Sequence, residues 1–149
     1  MGIEEGGVKV NVTKGDCLST GFKDGQGYIT YIEKHHFFRL LGLFVQNYNG
    51  EDFCVNEKVN FDTLSLMLDV SAAVPVKVPA LKEYMRYMAI MGYNQLQLYM
   101  EDMYEIPERP YFGYLRGRYT KQELKECDDY GFDLGIEVVP CMQTLGHMA

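Results

Sequence analysis

Acidic and polar side chains gather directly behind three apolar runs of this 149-residue chain. Asp69 lies near the end of the run LSLMLDV at 64–70, with Ser71 just beyond. Glu101 and Asp102 follow NQLQLYM at 94–100. Gln143, Thr144 and His147 follow IEVVP at 136–140. If the runs are strands, an acid-rich rim with one histidine lies past their ends. Such a rim suits hydrogen bonds to sugar hydroxyls and proton transfer. Each residue also has a plainer reading. Asp69 can cap neighbouring backbone amides, Glu101 and Glu105 can be solvated loop charge, and His147 can be a satisfied structural histidine. Asp102, directly after an apolar run, carries both readings equally. His35 and His36 open an amphipathic segment and read as surface or packing residues. Glu101, Asp102, Cys141 and His147 could share a metal, but no pair has a helical or knuckle ligand spacing. No metal and no cofactor is expected.

The segments that must position these residues alternate in period. Continuous apolar runs such as 64–70 fit strands covered on both faces. Val78-Pro79 opens a helix with proline at its first position; Leu81, Met85 and Met88 form its stripe and Gly92 closes it. A long loop at 104–119 follows the second strand. Thr120-Lys121-Gln122-Glu123 has the pattern of a capping box, and Leu124, Cys127 and Leu134 mark the buried side of the helix it starts, with Gly135 at its end. Residues 64–141 therefore read β-α-β-α-β, which predicts parallel strands with right-handed crossovers. The class is α/β, either a doubly wound sheet or the opening of a TIM barrel. No GxGxxG follows a strand, which disfavours a dinucleotide site.

The segment before Thr63 has a different texture. Val8, Val10 and Val12 alternate as in a half-buried strand. Thr13 to Gly27 is polar and glycine-rich and reads as a turn region. Tyr28 to Ile32 is β-branched and aromatic, hence a strand. Phe37, Leu40, Leu41, Phe44 and Val45 make one helical stripe, and Asn49-Gly50 stops it. Phe53 and Val55, extending to Val59 and Phe61, mark a further strand. Strands around one amphipathic helix make a small α+β unit. The expected division is 1–63 and 64–149.

Composition narrows the partners. A net charge of −7 argues against nucleic acid and against anionic membranes. Hydrophobic residues at 47% and charged residues at 23% indicate a globular chain. Twelve Tyr and eight Phe with no Trp suit either an aromatic core or a sugar-binding cleft. The four cysteines form no CxxC pair and read as reduced thiols. No apolar run is long enough to span a bilayer. The start MGIEEGGVKV has neither the basic nor the apolar region of a signal peptide, so a cytoplasmic location is expected.

Four motifs in order carry a family resemblance: LMLDVS at 66–71, NQLQLYMED at 94–102, RPYFGYLRGRYT at 109–120 and PCMQTLGH at 140–147. They resemble the β-N-acetylhexosaminidases of glycoside hydrolase family twenty, most nearly the bacterial N-acetylglucosaminidase branch with the RPYFGY…RGRY loop. The stretch ITYIEKHHFFRLLGLF at 29–44 is similar to the end of the small α+β domain that precedes that family's barrel. The resemblance implies the first βαβαβ part of a TIM (β/α)8 barrel preceded by part of a small α+β domain. It also implies removal of terminal β-linked N-acetylglucosamine or N-acetylgalactosamine with retention. The substrate's own acetamido oxygen is then the nucleophile, and an adjacent Asp-Glu pair after the fourth strand orients it and transfers the proton.

No Asp-Glu dipeptide occurs in this chain. The resemblance therefore assigns it only supporting residues: Asp102, matching the acid at the end of strand two, and His147, matching the histidine after strand three. Asp69, Glu101 and Arg116 complete the expected substrate-binding set. One departure stands out. The family's first strand typically ends Asp-x-Ser-Arg, the arginine holding outer sugar hydroxyls, whereas this chain reads Asp69-Val70-Ser71-Ala72. Losing a charge-assisted fork costs on the order of a few kcal/mol where partners are buried, and Arg116 or Arg118 is the candidate replacement. Three strands of an eight-stranded barrel lead us to expect a fragment, inactive alone and prone to self-association through its exposed edge. The alternative is a non-catalytic half-barrel that binds carbohydrate or a partner. A redox or phosphate-binding βαβαβ protein is disfavoured by the missing glycine loops and CxxC.

Overall fold

The computed structural model describes residues 7–72 and 75–143. The chain divides into two compact units, Met1–Asp62 with Ile90–Gly92 and Thr63–Ala89 with Tyr93–Ala149. Among the described residues no helix is long and apolar enough to cross a membrane. All four cysteines are free.

The first unit contains β1 (Val10–Lys14), β2 (Leu18–Lys23), β3 (Gln26–Tyr31), α1 (Lys34–Asn47) and β4 (Phe53–Glu57). Its sheet has the order β1-β3-β2-β4. β2 and β3 form a hairpin with Lys23 opposite Gln26. The two residues between, Asp24 and Gly25, have φ of 49° and 77°, the left-handed pair that a two-residue hairpin turn needs. Leu18, Ile29 and Leu40 are the buried heart of this unit, with Val10, Tyr31, Ile32, Phe37, Leu41 and Leu43 packed around them. Arg39 forks onto the Glu57 carboxylate (Nε–Oε2 3.2 Å, Nη2–Oε1 2.7 Å), tying α1 to β4.

Three expectations for this unit need correction. The polar stretch read as a turn region holds β2. Its alternation is real, since Leu18, Thr20 and Phe22 are all buried, but small and hydroxyl side chains hide the period. Thr20 buries its hydroxyl by donating to Tyr28 O at 3.1 Å. Gly21 is required there because a Cβ would stand 2.3 Å from Phe53 O in the neighbouring strand. Second, Val59 and Phe61 lie beyond β4, and Phe61 is 74% exposed. Third, the apolar stripe of α1 is narrower than its pattern, for Val45 faces solvent. Among the described residues β1 pairs with β3 alone, in parallel register, and leaves Val12 half-exposed.

The second unit contains β5 (Ser65–Asp69), α2 (Val78–Met91, except its last two residues), β6 (Gln95–Tyr99), α3 (Lys121–Leu134) and β7 (Glu137–Cys141). The strands are parallel in the order β5-β6-β7. Leu96 and Leu98 of β6 are fully buried, as are Leu81, Met85 and Met88 of α2 and Ile136 ahead of β7. Burial pushes the Cys127 thiol on α3 up to about 11. Gly92 and Gly135, with φ of 88° and 74°, end the two helices in the left-handed conformation. The other face of the sheet carries Ser65, Gln95 and Glu137 in one row, Met67, Gln97 and Val139 in the next, and Asp69, Tyr99 and Cys141 at the C-terminal end.

Candidate functional site

Parallel α/β sheets place ligands beyond the C-terminal ends of their strands, and there the second unit concentrates its polar contacts. Asp69 closes β5. Its Oδ1 accepts from the Ser71 amide at 2.8 Å, the Ser71 hydroxyl at 2.7 Å and the Ala72 amide at 3.2 Å. These bonds, the Ser71 hydroxyl first, together with the charge of Arg116, hold the carboxyl below its ordinary range. Asp69 thus organises the strand end while staying ionised at neutral pH.

β6 leads into a tight turn in which the Met103 amide donates to Met100 O at 2.9 Å. Glu101 sits there at φ 49°, a left-handed conformation that is uncommon for a residue with a side chain. The loop 104–119 is closed at its neck, with the Glu105 amide on Tyr119 O at 3.0 Å and the Tyr119 amide on Met103 O at 2.9 Å. Tyr119 is buried, its hydroxyl donates to Val76 O, and burial raises its phenol to about 12. Arg118 braces the loop from within, donating to Phe112 O at 2.7 Å and Pro110 O at 3.3 Å. Gly113 lies so close to the Asp102 carbonyl oxygen that a Cβ would stand 2.2 Å from it.

Arg116 is the hub. Its Nη2 donates to Ser71 O and reaches Glu101 Oε2 at 3.4 Å. Its Nη1 is 3.1 Å from Asp102 Oδ1, and its Nε donates to Met103 Sδ at 3.2 Å. The contact with Asp102 is an ion pair whose angle falls short of a hydrogen bond, so that buried oxygen makes none. One guanidinium therefore joins the ends of β5 and β6 and four sequence candidates, Asp69, Glu101, Asp102 and Arg116, share one charged cluster. Most of its donors point at protein acceptors, which leaves little of the fork for a sugar.

His147 and Thr144 lie outside the described residues. At the end of β7, Gln143 donates to the Tyr99 hydroxyl at 2.6 Å. Tyr99 was not a sequence candidate, although the alternation in NQLQLYM puts it on the face of Gln95 and Gln97, level with Asp69. Among the described residues no group of three His, Cys, Asp or Glu side chains could hold a metal ion. His35 and His36 lie with ring centroids 3.9 Å apart, tilted by 46°, in the first unit.

No protein-family model matches the chain, and no curated protein matches it. Solved structures do. An exo-β-N-acetylglucosaminidase of glycoside hydrolase family 20 from Vibrio harveyi, in complex with N-acetylglucosamine, superposes with a TM-score of 0.74 at 15% identity over 89% of this chain and 27% of that one. A mutant Streptomyces plicatus β-hexosaminidase in complex with its product N-acetylglucosamine gives 0.75 at 23% identity over 93% and 34%. The family 20 β-N-acetylhexosaminidase of Streptomyces coelicolor gives 0.75 at 21% over 88% and 33%. This chain folds like part of those enzymes. It spans about a quarter to a third of their length. The motif resemblance and the structural likeness fall on the same family.

Proposed function

We propose that this chain is part of an exo-acting β-N-acetylhexosaminidase of family 20, carrying the end of a small α+β domain and the first three strands of a TIM barrel. The observation that carries this is the Arg116 cluster: Asp69, Glu101 and Asp102 stand together at the C-terminal ends of β5 and β6, where barrel enzymes build their sites. Its substrates are glycans ending in β-linked N-acetylglucosamine or N-acetylgalactosamine. Asp102 and Asp69 hold sugar hydroxyls or the groups around them, and Arg116 fixes both strand ends in place. His147 joins that polar network. The Asp-Glu pair of substrate-assisted retaining catalysis is not among these residues, so the chain by itself binds aminosugar and does not turn it over. Among the described residues β5 and β7 each have one strand neighbour, and such edges favour self-association.

The test is binding and turnover by the purified 149-residue protein. N-acetylglucosamine should perturb NMR signals at Asp69, Asp102 and Arg116, and Arg116→Ala should weaken binding about tenfold or more. A chromogenic β-N-acetylglucosaminide should stay intact. Perturbations confined to the first unit would overturn the placement of the site, and turnover would overturn the assignment of catalysis to residues outside the chain.

Ala72 favours a second reading. With alanine after Ser71 and Arg116 committed to protein acceptors, the cluster suits recognition without hydrolysis. Activity of a chain extended through a strand ending in Asp-Glu decides between the two.

A further inference from the structure

Tyr119 ties together two segments that are far apart in sequence. Its backbone closes the neck of the 104–119 loop, its amide donating to Met103 O at 2.9 Å and its carbonyl accepting from the Glu105 amide at 3.0 Å. The next residue, Thr120, caps α3. Its side chain reaches the connection between β5 and α2, where the hydroxyl donates to Val76 O. The ring is 3% exposed, and burial raises the phenol to about 12, so the hydroxyl keeps its proton.

Two other residues of the loop touch the same connection. Arg116 donates to Ser71 O. Gly117 lies against Pro75, so close that a Cβ would stand 2.3 Å from Pro75 Cγ. Positions 116, 117 and 119 thus meet positions 71, 75 and 76. A cavity of about 340 Å³ opens beside this seam, with Pro75, Val76, Lys77, Gly117 and Tyr119 in its wall. Wall atoms lack packing partners on the cavity side, so directed bonds must do more to set the path of the connection there.

The other end of that connection is the charged cluster. Ser71 donates to Asp69 Oδ1 from its hydroxyl at 2.7 Å and from its amide at 2.8 Å. These two bonds, the hydroxyl first, are the main reason that the Asp69 carboxyl lies below its ordinary range; the Ala72 amide and the Arg116 charge add to them. The titration of Asp69 therefore reports whether Ser71 is in place.

We propose that Tyr119 is a positioning residue: by holding Val76 it keeps the β5–α2 connection on the path that lets Ser71 set the Asp69 carboxylate for an aminosugar. It acts through the backbone and touches no sugar itself. The sugar half of this inference rests on the aminosugar reading of the cluster.

The experiment follows Asp69 by NMR in the 149-residue protein as pH is lowered, then titrates the protein with N-acetylglucosamine. Tyr119→Phe keeps the ring and removes the hydroxyl. Asp69 should then titrate at higher pH than in the parent, and the sugar should bind about fivefold more weakly. In a Ser71→Ala background, which already lacks the hydroxyl bond to Asp69, the shift caused by Tyr119→Phe should shrink, because the two changes act along one route. Gly117→Ala keeps every hydrogen-bonding group and pushes on Pro75. It should move Asp69 and the affinity in the same direction, and it decides the question if Tyr119→Phe does not fold. Tyr130→Phe, which removes a hydroxyl 3.4 Å from Arg86 Nη1, should change neither. A lowered denaturation midpoint with Asp69 titrating as in the parent would make Tyr119 merely structural and overturn the proposal. A shifted Asp69 with undiminished sugar affinity would overturn its bearing on the sugar. Failure of the parent to bind the sugar at all would remove the aminosugar reading, and the Asp69 shift would then stand or fall by itself as the test of the tie to Tyr119.

Discussion

α1 and α3 have the same length, 14 residues, and each is amphipathic, yet different chemistry opens them. α3 begins with a reciprocal box: Thr120 Oγ1 accepts from the Glu123 amide at 3.1 Å, and Glu123 Oε2 accepts from the Thr120 amide at 2.9 Å. Glu123 also sets negative charge in the first turn, where the helix dipole favours it. α1 places His36 at the equivalent position, and its Nδ1 accepts from the Glu33 amide at 3.0 Å. No acidic residue lies in the first turn of α1. The cores differ in the same sense. Leu81, Met85, Met88, Leu96, Leu98, Met100, Met103 and Ile136 are fully buried in the second unit, against Leu40, Ile29 and Thr20 in the first. The unit with the charged cluster has the deeper core and the cap that contains no histidine, as a site on rigid elements requires.

Truncating the deepest layer should break this contrast first. Leu98→Ala removes a side chain that is 1% exposed and should cost about 2–5 kcal/mol in chemical denaturation. Val45→Ala, on the exposed side of α1, should stay within about 0.5 kcal/mol. Equal costs would mean that burial is not what separates the two regions.

Most of the second unit was legible because its signals are chemical as well as periodic. The apolar runs, Val78-Pro79, the Thr120 box and the terminal glycines each have one local cause and one local consequence. β2 was not legible because Ser19, Thr20 and Gly21 are residues of turns, and only the close approach of Phe53 O explains Gly21. The cap of α1 was missed because histidine in place of glutamate or glutamine is outside the usual box pattern. At the site, the spacing behind each strand picked out Asp69, Glu101 and Asp102. The reach of Arg116 back to Ser71, across 45 positions of sequence, depends on how the loop 104–119 closes, which no local pattern encodes.

The caps sharpen the comparison at smaller cost. Thr120→Ala should lose about 1 kcal/mol, and Thr120→Ser should restore it. Stability curves at neutral pH check this directly, and a neutral Thr120→Ala would show that packing alone holds the start of α3.

The smallest effect is pH-dependent. Burial depresses His36, against the pull of the Glu33 and Glu57 charges. Burial, with His36 beside it, lowers His35 to about 4. Both imidazoles are therefore neutral in the folded protein across a range where the unfolded chain, titrating near 6.5, binds protons. The unfolded state then holds more protons between about 4 and 6.5, so stability is full above that window and is lost as pH falls through it. Protonated His36 can no longer accept from the Glu33 amide, and a charged His35 would face it at a ring-centroid distance of 3.9 Å. Both groups are partly exposed and screened, which holds the loss to on the order of 1 kcal/mol. His36→Gln supplies a non-titrating acceptor at the same helix position, so it should keep the neutral-pH stability and flatten the decline toward pH 4. A variant that declines as steeply as the parent would move the acid sensitivity away from this cap and remove the electrostatic half of the contrast between α1 and α3.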